Sequence, residues 1–398
     1  DRLAIAILGT GSMGMGHLQR ALKTPGVALK AVCDVYAPNL ERAVAAAKGQ
    51  ARGVRDFREI LADPSVDAVW IATPDHWHAY MTVEACKSGK DVYVEKPLCR
   101  TVEEGVKMAA AARKYKRVVQ AGTQQRSSSH FQRACRMVRS GELGAITLVR
   151  AWNYSNIPAE GIGNPPDSDP PPDLDWDLWT GPAPLRRFNP NRFGRPIAPL
   201  SQFHWFWDYG GGMLTNWGVH WLDIVQMALG EAMPKAAAAV GGKFHTRDNR
   251  ETPDTLQATY EYPSCVVVYE NRMGNARTCI GQGNGILFHG ARGTLSLDRD
   301  GFRVFPEKDS RLAPLEVKVG ENMLEAHWAD FLECVRTRRR PVSSVEICQR
   351  ATTTCHLGNI ALRAGMRVDW DERRWTTVQP EARKWLAREE RAPWRIVV

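Results

Sequence analysis

A continuous apolar run at Leu3–Leu8 stops at Gly9-Thr10-Gly11-Ser12-Met13-Gly14, and a helical pattern begins at once over 15–23. An uninterrupted apolar run of this length suits a parallel strand covered on both faces. The glycines allow a tight turn and a close backbone approach to a pyrophosphate, which the N-terminus of the following helix attracts. GxGxxG alone is a weak signal, but here it lies between strand and helix, where a dinucleotide fingerprint requires it. A second strand over 28–33 ends on Asp34, 20 residues after Gly14. A carboxylate there can accept from a ribose 2′-hydroxyl and repels a 2′-phosphate, so the expected cofactor is NAD rather than NADP. Asp34 could instead cap the next helix.

Strand and helix patterns keep alternating: helix 39–47, strand 52–54, helix 57–61, strand 66–72, helix 78–88, strand 92–94, helix 102–115 and strand 118–121. This is the order of a doubly wound α/β domain, expected over 1–122. The fourth strand stops at Thr73-Pro74-Asp75-His76-Trp77-His78 and the fifth at Glu95-Lys96-Pro97, while Gln124 follows the last. Ligands bind beyond the carboxyl ends of such strands. Thr73, Pro74, His76, His78, Glu95, Lys96 and Gln124 therefore join Gly9–Gly14 and Asp34 as candidate cofactor residues. His76 and His78 lack further ligands nearby, so no metal is expected, and a cofactor-edge or capping role is preferred.

A second α/β domain is expected over 123–365, with a helix at 131–140 and a strand at 146–154. A stretch without periodicity covers 155–201, rich in Pro, Asp, Trp and Arg; loops this long tend to be functional. A helical run follows at 213–229. Strands at 236–244, 255–262, 265–273, 278–285, 293–297 and 302–305 read as an antiparallel sheet. Helices at 323–337 and 345–364 close the domain. The tail 366–398 carries Trp370, Trp375, Trp385 and Trp394 and is expected to pack back on the body.

The 398 residues suffice for two cores. Net charge is +9, but the basic residues are scattered and the densest run, at 336–340, reads as a solvated face, so no nucleic-acid partner is expected. Nine cysteines without a CxxC pair indicate neither a disulfide framework nor a zinc site; Cys33, Cys265 and Cys279 read as buried thiols. No apolar run approaches the ~20 residues of a membrane span. The chain starts at Asp1 and enters a strand within two residues, as when an upstream segment has been removed.

Asn216 and His220 are four apart, which on a helix puts both on one face. A histidine can take a proton from a hydroxyl while hydride leaves the same carbon, and Lys96 can hold that oxygen. A histidine satisfied within the core is an equal reading of the same residue. Seven of 14 tryptophans fall between Trp152 and Trp221, where their faces could take sugar C–H surfaces, although core packing accounts for most such rings.

The segments GTGSMG, ATPDHWH, VYVEKP, GTQQR, the Trp-Asp-Leu-Trp-Thr-Gly-Pro segment at 176–182 and WDYGGGMLTNWGVHWLD at 207–223 together resemble the Gfo/Idh/MocA oxidoreductases over nearly the whole chain. The resemblance implies a Rossmann domain, an α/β domain with a large, mostly antiparallel open sheet that forms homodimers or homotetramers, a nicotinamide cofactor, and carbohydrate or glycoside substrates. It implies that Lys96 and His220 are catalytic and that the Lys96–Pro97 bond is cis. Asn216 stands where the family usually has aspartate; it would orient the imidazole and leave His220 with a lower pKa. His204 stands where many relatives of this subgroup have arginine. Asp208 and Tyr209 complete the expected catalytic set, and Arg126, Asn153, Trp179, His204 and Trp207 are expected at the substrate. Twin-arginine export, common in the subgroup, would place the protein in the periplasm; otherwise it is cytoplasmic. Three functions remain open: an NAD-dependent dehydrogenase or reductase of a sugar or glycoside hydroxyl; a redox-neutral NAD-dependent glycosidase using Tyr209 or Asp208 as an additional base; and a non-catalytic NAD-binding sensor.

Overall fold

The computed structural model describes residues 2–194 and 202–398; the end of the expected loop, 195–201, lies outside the described residues. The first lobe runs β1 (Leu3–Leu8), α1 (Ser12–Lys23), β2 (Val27–Cys33), α2 (Ala37–Ala47), β3 (Arg52–Val54), α3 (Phe57–Leu61), β4 (Ala68–Ile71), α4 (Asp75–Lys87), β5 (Asp91–Val94), α5 (Val102–Lys114) and β6 (Val119–Ala121). Its six strands are parallel, in the order β3-β2-β1-β4-β5-β6. Every residue of β4 and β5 is buried, which explains their unbroken apolar sequences. The strand order reverses between β1 and β4, so a crevice opens at their carboxyl ends. Gly9, Thr73 and Lys96 all lie along that edge. The Lys96–Pro97 peptide is cis.

The second lobe contains α6 (Ser129–Arg139), β7 (Ile146–Tyr154), the short α7 (Trp176–Thr180) and α8 (Pro190–Phe193), α9 (Val219–Ala228), β8 (Ala236–Gly242), β9 (Thr255–Glu261), β10 (Val266–Arg272), β11 (Asn284–Gly290), β12 (Gly293–Leu297), β13 (Gly301–Pro306) and β14 (Leu315–Lys318). It continues with α10 (Met323–Thr337), α11 (Val345–Ala364), β15 (Val368–Asp371) and β16 (Thr376–Thr377). Ten strands form one sheet, antiparallel except where β7 meets β10. In β9, Leu256, Ala258 and Tyr260 are buried while Gln257, Thr259 and Glu261 alternate with them. The buried face packs with residues of α6, α9 and α11. The other face is polar at its centre, where Arg150 Nη2 and the Tyr154 hydroxyl each donate to Glu270 at 2.8 Å.

Three local expectations need correction. The strand expected over 278–285 begins only at Asn284, because Ile280 and Gly281 take φ of 47° and 83°, which no strand accommodates. The helical run 213–229 opens with a wide π-type turn over Leu214–Gly218 before α9. Cys279 is only half-buried, unlike the other eight cysteines. The stretch 155–194 carries no long elements, but it packs an aromatic cluster in which Trp176 and Trp179 stack 4.7 Å apart beside Phe188, Trp205 and Tyr209.

The second lobe's last helices return to the first. Trp328 of α10 lies 4.6 Å from Trp70 of β4, and Ser344 bridges to Gln120 of β6. The tail packs back as well: β15 joins the large sheet beside β8, and Trp394 lies 5.0 Å from Trp77 and 5.5 Å from Tyr80. Trp394 is buried in the first lobe's core. Replacing it with alanine should cost about 3 kcal/mol or more, the usual loss for a core tryptophan. Urea unfolding of Trp394→Ala checks this, and an unchanged midpoint would show that the tail contributes no core.

Candidate active site

The crevice continues into a cavity of about 440 Å³ walled by both lobes. At the first-lobe end it is lined by Gly9, Gly11, Ser12, Met13, Asp34 and Arg42. Gly9 has φ of +85°, and a Cβ there would meet the Ala72 oxygen at 2.8 Å. A Cβ on Gly14 would meet the Gly9 oxygen at 1.8 Å, so the turn closes only with glycine. Gly14 therefore shapes the turn and does not line the cavity. The N-terminus of α1 has no side-chain cap, which leaves backbone N–H groups for a pyrophosphate. Asp34 accepts from Thr10 N at 2.8 Å, Thr10 Oγ1 at 3.1 Å and Tyr36 N at 2.9 Å. Thr10 is wholly buried and acts by fixing that carboxylate. Burial pushes Asp34 up, against the bonds from Tyr36, Thr10 and Asn39.

Thr73, Pro74, Glu95, Lys96 and Gln124 line the middle of the cavity. His78 does not; its ring spans Pro97 O at 2.7 Å and Thr73 O at 3.0 Å, tying the ends of β4 and β5 together. His76 is also behind the wall, with Nε2 2.9 Å from Trp179 O. Glu95 Oε1 is 2.9 Å from His17 Nε2, and His17 Nδ1 accepts from Trp328 Nε1 at 3.1 Å. The indole can only donate, so the His17 proton resides on Nε2 and is given to Glu95. Burial alone would raise Glu95, but the His17 bond and nearby Lys96 outweigh it and hold the carboxyl low.

The second lobe contributes Asn216, Trp217 and His220, together with Trp179, Phe203, His204 and Arg299. Lys96 Nζ donates to Asn216 Oδ1 at 2.7 Å and to Asn216 O at 3.1 Å. This corrects the expectation that Asn216 orients the imidazole: its amide oxygen is taken by the ammonium. Neither ring nitrogen of His220 has a hydrogen-bond partner among the described residues, and Nδ1 is fully buried. Burial lowers Lys96, and the charges of Glu95 and Asp75 oppose that. Burial also drives His220 well below the ordinary histidine range, with Arg299 and Lys96 adding to it. Burial takes His204 down to about 3.

Five expected residues are elsewhere. Arg126 is buried in ion pairs, Nε with Asp223 at 2.8 Å and Nη1 with Glu231 at 2.7 Å, and does not line the cavity. Asn153 accepts from the Tyr269 hydroxyl at 3.1 Å inside the second lobe. Asp208 is paired with Arg186 at 2.9 Å. Tyr209 is buried against His76 and Trp179, and Trp207 stacks under Arg363, 4.7 Å from its ring.

Sequence reasoning passed over Asp75 and Arg299. Asp75 is the first residue of α4, directly after β4, and that position was the available signal. It is buried, lines the cavity and has no side-chain hydrogen bond to another described residue. Arg299 lies in a hairpin turn, where nothing local distinguishes it from a solvated charge.

Two family models match the chain: GFO_IDH_MocA, described as an oxidoreductase family with an NAD-binding Rossmann fold, over residues 3–123, and its C-terminal alpha/beta domain over residues 151–396. The chain belongs to the Gfo/Idh/MocA oxidoreductase family. Among curated relatives, inositol 2-dehydrogenase of Salmonella typhimurium is 32% identical over 160 residues, 39% of this chain and 48% of that protein. A glycosyl hydrolase family 109 protein of Shewanella sp. strain W3-18-1 is 37% identical over 112 residues, 26% of this chain and 24% of that protein. The chain thus spans less than half the length of these relatives. Among solved structures, aldose-aldose oxidoreductase from Caulobacter crescentus, complexed with glycerol, superimposes with a TM-score of 0.70 at 22% identity, covering 93% of this chain and all of that one. Levoglucosan dehydrogenase in complex with NADH gives 0.70 at 20% identity, covering 93% and 99%. These likenesses establish the fold. The first lobe is the family's NAD-binding Rossmann fold, and its glycine turn, uncapped helix end and Asp34 fit that cofactor.

Asp75 yields a stability prediction. Burial pushes its carboxyl from 3.8 up to about 7, with Lys96 and Arg100 offsetting only part. The folded state therefore holds the proton more tightly than the unfolded chain, so this contribution is full below about pH 4 and is lost as the pH rises to about 7. Asp75→Asn should remove up to about 4 kcal/mol of that pH dependence. Urea unfolding at pH 5 and 7.5 checks it; equal slopes for both proteins would contradict it.

Proposed function

We propose that the protein transfers hydride between NAD and a hydroxyl of a sugar or glycoside, with Lys96 polarising the oxygen and His220 moving the proton. The observation that carries this reading is the convergence of an ammonium from the first lobe and an unpartnered imidazole from the second on one cavity. Gly9–Gly14, Asp34, Thr73 and Gln124 would hold NAD, which when bound supplies the hydride acceptor. Lys96, anchored by Asn216, donates a hydrogen bond to the substrate oxygen and stabilises negative charge developing there. His220 is neutral, since burial keeps its pKa low, and so can accept the hydroxyl proton; with Nδ1 buried, Nε2 takes it. Trp179 and His204 flank the substrate. The NADH-bound oxidoreductase structures and the inositol dehydrogenase relative support carbohydrate as the substrate class. Assembly through the outer sheet face into homodimers or homotetramers belongs to the same proposal.

A redox-neutral glycosidase is the second reading, favoured by the family 109 relative and by Asp75. That chemistry needs a further base for a C–H beside a transient ketone. Tyr209 and Asp208, first considered for it, do not line the cavity, whereas Asp75 does. Glycoside cleavage with deuterium uptake at that carbon, lost in Asp75→Asn, would select this reading.

For the leading reading, NADH formation with a panel of sugars and glycosides should vanish in Lys96→Ala. Silence of the wild-type protein across the panel would count against hydride transfer. Asn216→Asp would put a carboxylate 2.7 Å from the Lys96 ammonium and raise its pKa. The limb of the pH–rate profile governed by Lys96 should then move to higher pH. A profile that stays in place would detach Asn216 from Lys96.

A further inference from the structure

Arg299 occupies the turn between β12 and β13, far in sequence from every residue of the site described so far. Its side chain nevertheless lines the same cavity as Gln124, Asn216, Trp217 and His220. The guanidinium carbon lies 4.7 Å from the centre of the Trp217 ring. Nε and Nη2 share one acceptor, Gln125 Oε1, at 3.4 and 3.2 Å. Nη1 donates to no described residue, and among the described residues no carboxylate lies within ion-pair distance of Arg299. Of the two acids beside it in sequence, Asp298 is engaged elsewhere. Asp298 Oδ1 accepts from the backbone of Asp300 at 2.9 Å and of Gly301 at 3.1 Å, and its Oδ2 accepts from Gln282.

Arg299 is half-buried, and two fully buried arginines contrast with it. Arg126 is held by Asp223 and Glu231, and Arg250 by Asp248 at 2.8 Å. A guanidinium withdrawn from water normally acquires a carboxylate, whose two oxygens match its fork. Arg299 has instead an amide oxygen, an aromatic face and an open cavity. Lys96 is in the same condition, bonded to the two oxygens of Asn216. Glu95, the nearest carboxylate to Lys96 in sequence, is engaged by His17. The substrate end of the cavity thus carries two cations whose hydrogen-bond partners are neutral.

We propose that the substrate carries a carboxylate and that Arg299 binds it, making the protein an oxidoreductase of sugar acids such as uronates and their glycosides. This rests on the reading that a sugar hydroxyl reacts between Lys96 and His220. The chemistry is consistent with it. Arg299 and Lys96 both disfavour a proton on His220, and a substrate carboxylate on Arg299 offsets part of that field as His220 receives the hydroxyl proton. A neutral sugar would leave Arg299 uncompensated, whereas Lys96 has the charges of Glu95 and Asp75 beside it.

The test is ligand-induced thermal stabilisation of the NADH-saturated protein. The probes are D-glucuronate, D-galacturonate and methyl β-D-glucuronide, each beside its neutral counterpart D-glucose, D-galactose or methyl β-D-glucoside, with glucose 6-phosphate as a second anion. At least one uronate should stabilise the wild-type protein at a concentration about 10-fold or more below its neutral counterpart, as expected for a charge-assisted pair. Arg299→Gln should abolish that preference and Arg299→Lys should retain part of it, with circular dichroism verifying that both variants fold. Equal stabilisation by acid and neutral sugar, stabilisation by none, preference for the phosphate, or a uronate preference surviving in Arg299→Gln would each overturn the proposal. So would weakened NADH binding in Arg299→Gln with uronate binding intact, which would assign the guanidinium to the cofactor. NADH formation from neutral sugars alone would overturn this proposal and leave the hydride-transfer reading standing. A uronate bound through Arg299, with no NADH formed from any sugar, would do the reverse.

Discussion

The pair of hydrogen bonds from Lys96 Nζ to Asn216 is the interaction on which the site depends. It joins the carboxyl end of β5 to the wide turn that precedes α9, and so fixes the separation of the two lobes where the reacting group must lie. It also sets the electrostatics. Burying an ammonium against neutral oxygens is unfavourable unless charge elsewhere compensates, and Glu95 and Asp75 supply it. Glu95 is in turn held by His17, and His17 by Trp328 of α10. Because α10 follows eight of the ten strands of the second sheet in sequence, the chain must fold back on the first lobe before the lysine's surroundings are complete. A side chain read from a six-residue motif is tuned by a tryptophan 232 positions downstream, as the numbering of Lys96 and Trp328 shows.

The wide turn at Leu214–Gly218 has a related role. Single π-type turns tend to occur at functional sites because the extra residue re-aims side chains. Here the turn presents both the carbonyl and the side chain of Asn216 to Lys96 while Trp217 and His220 still reach the cavity. Packing limits how that turn can sit: a Cβ on Gly218 would come within 3.1 Å of Leu214 Cδ1 and of Tyr269 Cζ. The α-helical spacing argument for Asn216 and His220 arrived at the right cavity but not at the right partner, since the imidazole does not bond to the amide.

This marks the boundary of what the sequence reveals. The parallel sheet was legible because its strands are apolar on both faces, and the cofactor edge was legible because topology sends the residues after β1, β2, β4 and β5 to the same side. Gly9, Asp34, Thr73 and Lys96 needed no knowledge of partners. Arg126, Asn153, Asp208, Tyr209 and Trp207 did. Each is a polar or aromatic group of a kind suited to binding sugar, and each lies near a recognisable motif. What decides its role is whether something distant satisfies it first: Asp223 and Glu231 for Arg126, Tyr269 for Asn153, Arg186 for Asp208. Asp75 and Arg299 are the converse, ordinary charges in sequence that the fold leaves facing the cavity.

These placements bear on how a weakly basic histidine could serve at all. An imidazole held below its ordinary range is a poor base toward an unperturbed hydroxyl. The hydroxyl here would lie against the Lys96 ammonium, which stabilises the alkoxide as it forms and lowers the demand on the base. An aspartate in place of Asn216 would neutralise that ammonium and weaken its pull on the substrate oxygen, while the amide anchors the lysine and leaves its charge available. Asparagine therefore moves the work of activation from the base to the electrophile. No carboxylate among the described residues pairs with His220, and a counter-charge for the imidazolium can come from a charged substrate.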